Sequence, residues 1–110
     1  MERDQLYNCL ERVVNNIPSQ TLSGKKIPCV SINTYMSSLI GTDNHVHVRL
    51  NKEEREALIS DGAKGTMQYG KQMKEFVQLS EEMILDPEKL KHILMLSEKH
   101  CLSLKAQKRK

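Results

Sequence analysis

The chain is poor in the residue types from which large rigid cores are built. It has no Trp, a single Phe and three Tyr among 110 residues. A hydrophobic core therefore has to come mainly from Leu, Ile, Val and Met. The six Met provide flexible apolar side chains that fill irregular spaces. At this length we expect one domain with one modest core.

Cysteine and long apolar runs are also scarce. Cys9, Cys29 and Cys101 are odd in number and widely separated, which argues against a disulfide framework or a Cys-paired zinc site and indicates a reducing, cytoplasmic environment. No apolar run approaches the roughly 20 residues that cross a bilayer. The opening residues Met-Glu-Arg-Asp lack the apolar segment of a secretion signal.

Positive charge is concentrated at one end of the chain. The net charge is +3, from 17 Lys and Arg against 14 Asp and Glu. Lys105, Lys108, Arg109 and Lys110 lie near the C-terminal end, and without them 13 basic residues face 14 acidic ones. We expect residues 105–110 to form a basic, disordered tail that is either simply solvated or adds phosphate contacts to a nucleic acid.

Amphipathic periodicity predicts three helices. The first covers residues 2–17 and ends because Pro18 disfavours helical geometry in the residue before it. Asn51, followed three residues later by Glu, has the pattern of a capping box, and we expect the helix that it starts to bury Leu58 and Ile59.

The third helix has the strongest start signal. Asp86-Pro87-Glu88 combines a capping side chain, a proline at the first helical position and an acid in the first turn. The predicted helix runs to about residue 104. Its apolar stripe consists of Leu90, Ile93, Leu94, Ser97, Cys101 and Leu104.

The intervening segments alternate in the manner of strands. They predict strands over residues 27–32, 35–40 and 45–50, joined by short turns in an antiparallel meander. A weaker edge strand over residues 66–69 precedes a strand over residues 73–79, which holds the single Phe and which we expect at the centre of the sheet.

This order of elements predicts the fold class. A helix, three strands, a helix, two strands and a helix indicate an α+β fold, since runs of strands alternate with separate helices. We expect a two-layer domain over residues 1–104, in which helices pack against an antiparallel sheet of about five strands. Residues 19–26 are predicted to form a polar loop, and residues 80–83 a short helical turn.

Two histidines provide the only candidate metal ligands with suggestive spacing. His45 and His47 stand two apart on one predicted strand, so both side chains should leave the same solvent-facing side, opposite to Val46, Val48 and Leu50. Such a pair can share a metal ion, but no second pair stands at a matching spacing. Solvent-facing histidines also need no ligand.

The remaining polar candidates have equally simple explanations. Arg49 could bind an anion, or it could pair with an acid such as Glu75. Cys29 could be a nucleophile only beside a base, and a small buried apolar residue is the alternative. Lys74 and Glu75 are neighbours on a strand and should face opposite sides. We therefore predict no catalytic residue, no cofactor and no metal.

A possible interaction or ligand face can still be defined, and so can a possible phosphate-binding set. The first would gather Tyr35, His45, His47, Arg49 and Lys74. The second would consist of the four basic residues of the tail, from Lys105 to Lys110.

Several motifs, taken in order, resemble one known family. These motifs are Val48-Arg49-Leu50, Lys52-Glu53-Glu54-Arg55, Leu58, Gly70, Met73-Lys74-Glu75-Phe76-Val77 and Ser103-Leu104-Lys105. They resemble the TfoX/Sxy N-terminal domain family, in which a Met-Lys-Gly-Phe-Val-type strand follows a glycine. The segment over residues 27–33 is similar to a small standalone branch of that family.

The resemblance implies an α+β fold and a regulatory function without catalysis. Full-length members resemble co-activators of bacterial competence genes that act with a cyclic-AMP-responsive transcription factor. We expect a small standalone member without the C-terminal second domain, carrying Glu75 where many members have Gly. The family offers no catalytic residues to transfer.

The expected function is thus that of a cytoplasmic protein-interaction module, with another protein, such as a transcription factor, as its partner. Unpaired strand edges also favour a symmetric homodimer. Direct nucleic-acid binding through the tail is the alternative. A third alternative is a small metal protein or enzyme that uses His45 and His47.

Overall fold

A six-stranded antiparallel sheet forms one layer of the molecule, and its strand order is β1-β2-β3-β4-β6-β5. The computed structural model describes residues 1–68 and 71–105. Within these residues, six strands and four helices confirm the α+β class. The elements in chain order are α1 (Arg3–Val14), β1 (Leu22–Ser23), β2 (Cys29–Ile32), β3 (Tyr35–Ile40), β4 (Val46–Arg49), α2 (Lys52–Ser60), β5 (Lys64–Gln68), β6 (Lys71–Gln78), α3 (Glu81–Leu85) and α4 (Pro87–Ser103).

The hydrophobic core lies between one face of the sheet and the helices. Val48 pairs with Ser38 on β3 and with Val77 on β6, so these side chains leave the same face. Val46 and Leu50 share that face and are fully buried, as the alternation predicted. The buried residues that the helices contribute are Leu6, Leu10, Val13, Val14, Met83, Ile84, Leu90, Ile93, Leu94, Ser97 and Cys101.

The first helix is shorter than its apolar period predicted. α1 ends at Val14, whereas the apolar repeat continues to Ile17. The next residues form tighter turns, in which the Asn16 and Ile17 amides donate to the carbonyls three residues earlier. Ile17 consequently stays buried without being helical.

The sheet has one strand more than predicted. Leu22 and Ser23, in the segment expected to be a loop, pair with Val30 and Cys29 and form the edge strand β1. Two residues are too few to show a period, so the pairing partner alone defines this strand. At the other edge β5 corresponds to the predicted strand over residues 66–69, although Tyr69 and Gly70 lie outside the described residues.

The strand that contains Phe76 is not at the centre of the sheet. β6 lies between β4 and the edge strand β5, because the chain forms the edge strand first, after α2, and then returns between that edge and β4. Phe76 also lies outside the core between sheet and helices. It pairs with Arg49 and faces the opposite side of the sheet from Val77.

A bulge in β3 accounts for the contacts of the buried Ser37. Ser38 pairs with Val30 and Met36 pairs with Ser31, which leaves Ser37 as an extra residue. The carbonyl of Ser37 accepts a hydrogen bond from the hydroxyl of Ser97 on α4, at 2.9 Å. Ser97 is fully buried, so this bond satisfies both the helix hydroxyl and the carbonyl freed by the bulge.

The second helix starts as predicted but buries less. The Asn51 side chain accepts a hydrogen bond from the Glu54 amide at 2.8 Å and so caps α2. No residue of α2 is fully buried. Leu58 is half-buried against the core, whereas Ile59 is exposed, because the helix covers the edge of the core and not its centre.

The last helix follows its sequence signals closely. The Asp86 side chain accepts from the Lys89 amide, and Pro87 occupies the first turn of α4. Ser80 caps the short α3 in the same way. None of the helices in the described ranges is long and apolar enough to cross a membrane.

Candidate functional site: the open face of the sheet

The side of the sheet away from the helices carries a shallow groove of about 540 Å³. We call it the open-face groove. Its rim includes Met36 and Met67, which are 40% and 60% exposed, and no residue of a described helix lines it. The lining residues are Ile27, Met36, Leu39, Gly41, Thr42, Asp43, His47, Arg49, Thr66, Met67, Met73 and Phe76.

His47 forms part of the groove floor and is only 5% exposed. Its Nδ1 lies 2.9 Å from the hydroxyl of Thr66, and its Nε2 lies 3.1 Å from a carboxylate oxygen of Asp43. A carboxylate only accepts hydrogen bonds, so Nε2 carries a hydrogen, and in the neutral ring Nδ1 accepts from the Thr66 hydroxyl. The prediction that His47 faces solvent is therefore wrong, because β5 and the β3–β4 turn cover it.

Gly41 makes room for this arrangement. A Cβ atom at position 41 would lie 2.6 Å from the Asp43 Oδ1 and 3.2 Å from the His47 Nε2. The first distance is shorter than the contacts that real Cβ atoms make, and the second is tight. The absence of a side chain at Gly41 is thus what allows Asp43 to reach His47.

The turn that carries Asp43 is fastened to the first helix. The Arg3 guanidinium donates to the Gly41 carbonyl at 2.6 Å and to the Asn44 side chain at 3.1 Å. It also donates to the Lys26 carbonyl. Asn44 adopts a positive φ of 59°, which Asn tolerates better than most residues. The turn is therefore held from several sides.

The Arg49 side chain makes hydrogen-bond, ion-pair and aromatic contacts within the protein. Its Nε donates to the Met36 carbonyl at 3.0 Å, and its Nη1 pairs with the Glu75 carboxylate. The guanidinium carbon lies 4.5 Å from the Phe76 ring centre and 5.2 Å from that of Tyr35, within the range of cation–π contacts. Of the two predicted roles for Arg49, pairing with Glu75 is confirmed.

His45 does not share this site. It precedes β4 and lines a different pocket of about 330 Å³, together with Leu79, Ser80 and Glu81. In that pocket the amino group of Met1 donates to Glu81 at 2.6 Å, which, with a smaller contribution from His45, lowers the pKa of the Glu81 carboxyl. The expectation that His45 and His47 leave one face together is wrong, because His45 lies outside the strand.

The described parts of the chain contain no cluster of metal-ligating side chains. No three His, Cys, Asp or Glu side chains there are placed to hold one metal ion. Both ring nitrogens of His47 are instead hydrogen-bonded, Nδ1 to Thr66 and Nε2 to Asp43.

The other predicted site residues are spread over the molecule. Lys74 is exposed and does not line the groove. The Tyr35 hydroxyl donates to the Lys105 carbonyl at 2.6 Å, so Tyr35 joins the groove region to the end of the described chain. Lys105 is exposed. Lys108, Arg109 and Lys110 lie outside the described residues.

The cysteines are free thiols. Burial raises the pKa of the Cys101 thiol. Cys29 is only half-buried and pairs with Leu39 on β3, so it is less buried than the reading as a small buried apolar residue predicted.

Sequence reasoning missed Asp43, Gly41 and Thr66 as parts of the site. Residues 41–44 carry the composition of a turn, and that turn exists, but nothing in the composition shows that it folds back onto His47. Thr66 is 19 residues from His47 in the chain and shares no motif with it. The antiparallel return of β5 and β6 is what brings them together.

Taken together, the groove is an apolar surface whose charged groups are already paired. Asp43 is occupied by His47, and Arg49 by Glu75. What remains towards solvent is dominated by the side chains of Met36, Met67 and other apolar residues. Such a surface is suited to bind apolar groups.

Comparisons of the chain with models of protein families, with curated proteins and with solved structures found no match. The resemblance to TfoX/Sxy N-terminal domains therefore stays a prediction from the sequence motifs.

Proposed function

We propose that this chain is a non-catalytic interaction module that binds another protein through the open-face groove. One observation carries the proposal: exposed methionines border a concave surface whose charged side chains are paired with one another. Single exposed apolar residues are ordinary, whereas a contiguous exposed apolar patch is typical of an interaction site.

The lining of the groove favours a partner that presents apolar side chains. Methionine is unbranched and polarizable, so Met36, Met67 and Met73 can repack around different partner surfaces. Asp43 and Glu75 are each about half exposed and can add polar contacts at the rim. The motif resemblance to TfoX/Sxy N-terminal domains supports a regulatory partner, and we propose a transcriptional regulator.

Methyl-labelled methionine offers a direct test. A photo-crosslinking residue at position 36 would first identify the partner, with the same residue at position 95 as the control, because Met95 is 49% exposed on α4. With purified partner, we expect the NMR methyl signals of Met36, Met67 and Met73 to shift. The signals of Met95 and of buried Met83 should stay in place.

A matched pair of variants then measures affinity. Met36→Glu places a charge in the apolar groove, and we expect binding to weaken by about tenfold or more. Met95→Glu adds the same charge elsewhere and should leave affinity unchanged. Equal effects of both variants, or methyl shifts confined to Met95, would exclude the groove as the binding site.

Nucleic-acid binding by the tail makes a different prediction. Affinity for duplex DNA would fall steeply with salt and would be lost on removal of residues 106–110, which carry Lys108, Arg109 and Lys110. This truncation keeps Lys105, whose carbonyl is bound by Tyr35. Salt-sensitive DNA binding that disappears with the tail and ignores Met36→Glu would favour this alternative.

A further inference from the structure

The edge strand β5 is open to strand addition. It is an end strand of the sheet, and no strand of the described chain lies on its outer side. Proline, charged residues and bulges commonly protect such edges, but β5 contains no Pro, and Lys64 is its only charged residue. The register shift between Gly65 and Thr66 places the extra residues on β6, so β5 itself is continuous. The opposite edge, β1, has only two residues and is a much shorter template.

We propose that β5 pairs with β5 of a second copy of this chain, antiparallel, across a two-fold axis at Thr66. Centring the axis there places all five residues of β5 in the pairing, which any shift of register would reduce. Such an interface is isologous, since the same surface serves both copies. The inference goes beyond binding at the groove and needs no other partner.

The side chains of β5 are self-complementary in this register. Gly65 of one copy stands opposite Met67 of the other, so the exposed apolar side chain of the strand meets the residue that has no side chain. Cross-strand neighbours leave the same face, so pairing covers Met67, which is 60% exposed in the single chain. Lys64 stands opposite position 68, and like charges do not face each other.

The pairing also joins the two binding surfaces. Thr66 lines the open-face groove of its own copy, and in a directly opposed pair the two Thr66 Cα atoms would be about 4.5–5.5 Å apart. The grooves of the two copies would therefore meet at the axis. A dimer would present one longer apolar surface in place of two short ones.

Disulfide trapping tests both the pairing and its register. In a chain with Cys9 and Cys29 replaced by Ser, Thr66→Cys should form an intermolecular disulfide on mild oxidation, since bridged Cα atoms lie about 4.4–6.8 Å apart. Lys64→Cys is the matched control, because four residues separate it from its copy along the strands, or about 13 Å. Equal trapping at both positions, or trapping at Lys64→Cys alone, would overturn the proposal.

Light scattering of the unmodified chain tests it without cysteine chemistry. We expect the mass to rise from one to two chains with concentration, and Met67→Lys to weaken the association by about tenfold or more. Met95→Lys adds the same charge on α4 and should change nothing. A mass of one chain at all concentrations, or equal effects of the two variants, refutes the dimer. Either result leaves the groove proposal to its own methyl-NMR test.

Discussion

Replacing Thr66 by Val would remove one hydrogen bond from the floor of the groove with almost no change in shape. The Thr66 hydroxyl lies 2.9 Å from the Nδ1 of His47, and both residues are more than nine-tenths buried. Without that donor, the Nδ1 acceptor is left unsatisfied. A buried group in that state costs about 1–3 kcal/mol. The free energy of unfolding should fall by an amount in that range.

Urea unfolding followed by circular dichroism measures this change, provided that the m-value is constant. For a domain of this size each 1 kcal/mol also lowers Tm by roughly 4–8 °C. Thr66→Ser keeps the hydroxyl and is the control for the bond itself, although it loses a methyl group.

A double-mutant cycle decides whether the hydrogen bond is the cause. In a His47→Phe background the acceptor no longer exists, so Thr66→Val should be close to neutral there. The difference between the two backgrounds is the interaction free energy. If Thr66→Val costs the same with and without the imidazole, the bond contributes nothing and the structural reasoning about His47 is wrong.

Three further predictions concern the supports of the fold. The Asn33 side chain donates hydrogen bonds to the carbonyls of Cys101 and Leu104 at the end of α4. Asn33→Asp replaces this donor with a carboxylate at the negative end of the helix dipole, whereas Asn33→Gly removes the donor but still tolerates the φ of 52°. Asn33→Asp should therefore lower the urea midpoint more than Asn33→Gly does. Gly41→Ala should be more destabilising in the unmodified chain than in an Asp43→Ala background, where the 2.6 Å contact with Oδ1 is absent; equal effects in urea unfolding would contradict this. Burial raises the pKa of the Cys101 thiol in the folded protein. As pH rises, the thiol therefore ionises in the unfolded chain before it ionises in the folded one. The stability that this thiol contributes is complete below about pH 8.5 and is lost as pH rises towards the folded pKa. Cys101→Ala should flatten this alkaline decline in urea midpoints, and an unchanged slope would contradict it.

The two proposals, groove and edge, share Thr66 and Met67, which belong to β5 and also line the groove. The groove depends on the side chains that leave the open face, such as Met36. The edge depends on the backbone of β5 and on the pairing of Gly65 with Met67. Met36 lines the groove but lies on β3, outside β5. Met36→Glu should therefore weaken partner binding and leave self-association unchanged, and light scattering of that variant separates the two proposals.

The helices and most strands were predictable because their signals are local. Apolar residues at helical spacing identified the buried stripe of α4, and Asp86-Pro87 marked its start. Alternation over residues 45–50 assigned Val46, Val48 and Leu50 to the core, where they lie. Ile59 failed the same reasoning, because an apolar side chain is buried only where another element covers it.

The candidate site was predicted only in part, since its parts are distant in sequence. Arg49 and Glu75 were considered as a pair, and they are one. His47 was assigned to the correct face of the sheet, but it was predicted to be solvent-exposed and is buried. A strand pattern tells which face a side chain leaves, but not whether a turn and an edge strand close over it.

The α+β class, the capped helices and the face of β4 that enters the core follow from local sequence patterns, because propensity, capping and alternation act over a few residues. Long-range packing places β6 beside β4, leaves β5 at the edge, and brings Asp43, His47 and Thr66 together beneath an apolar groove. Those outcomes depend on pairing between distant segments and on a glycine that makes room for a contact, and no local pattern records either.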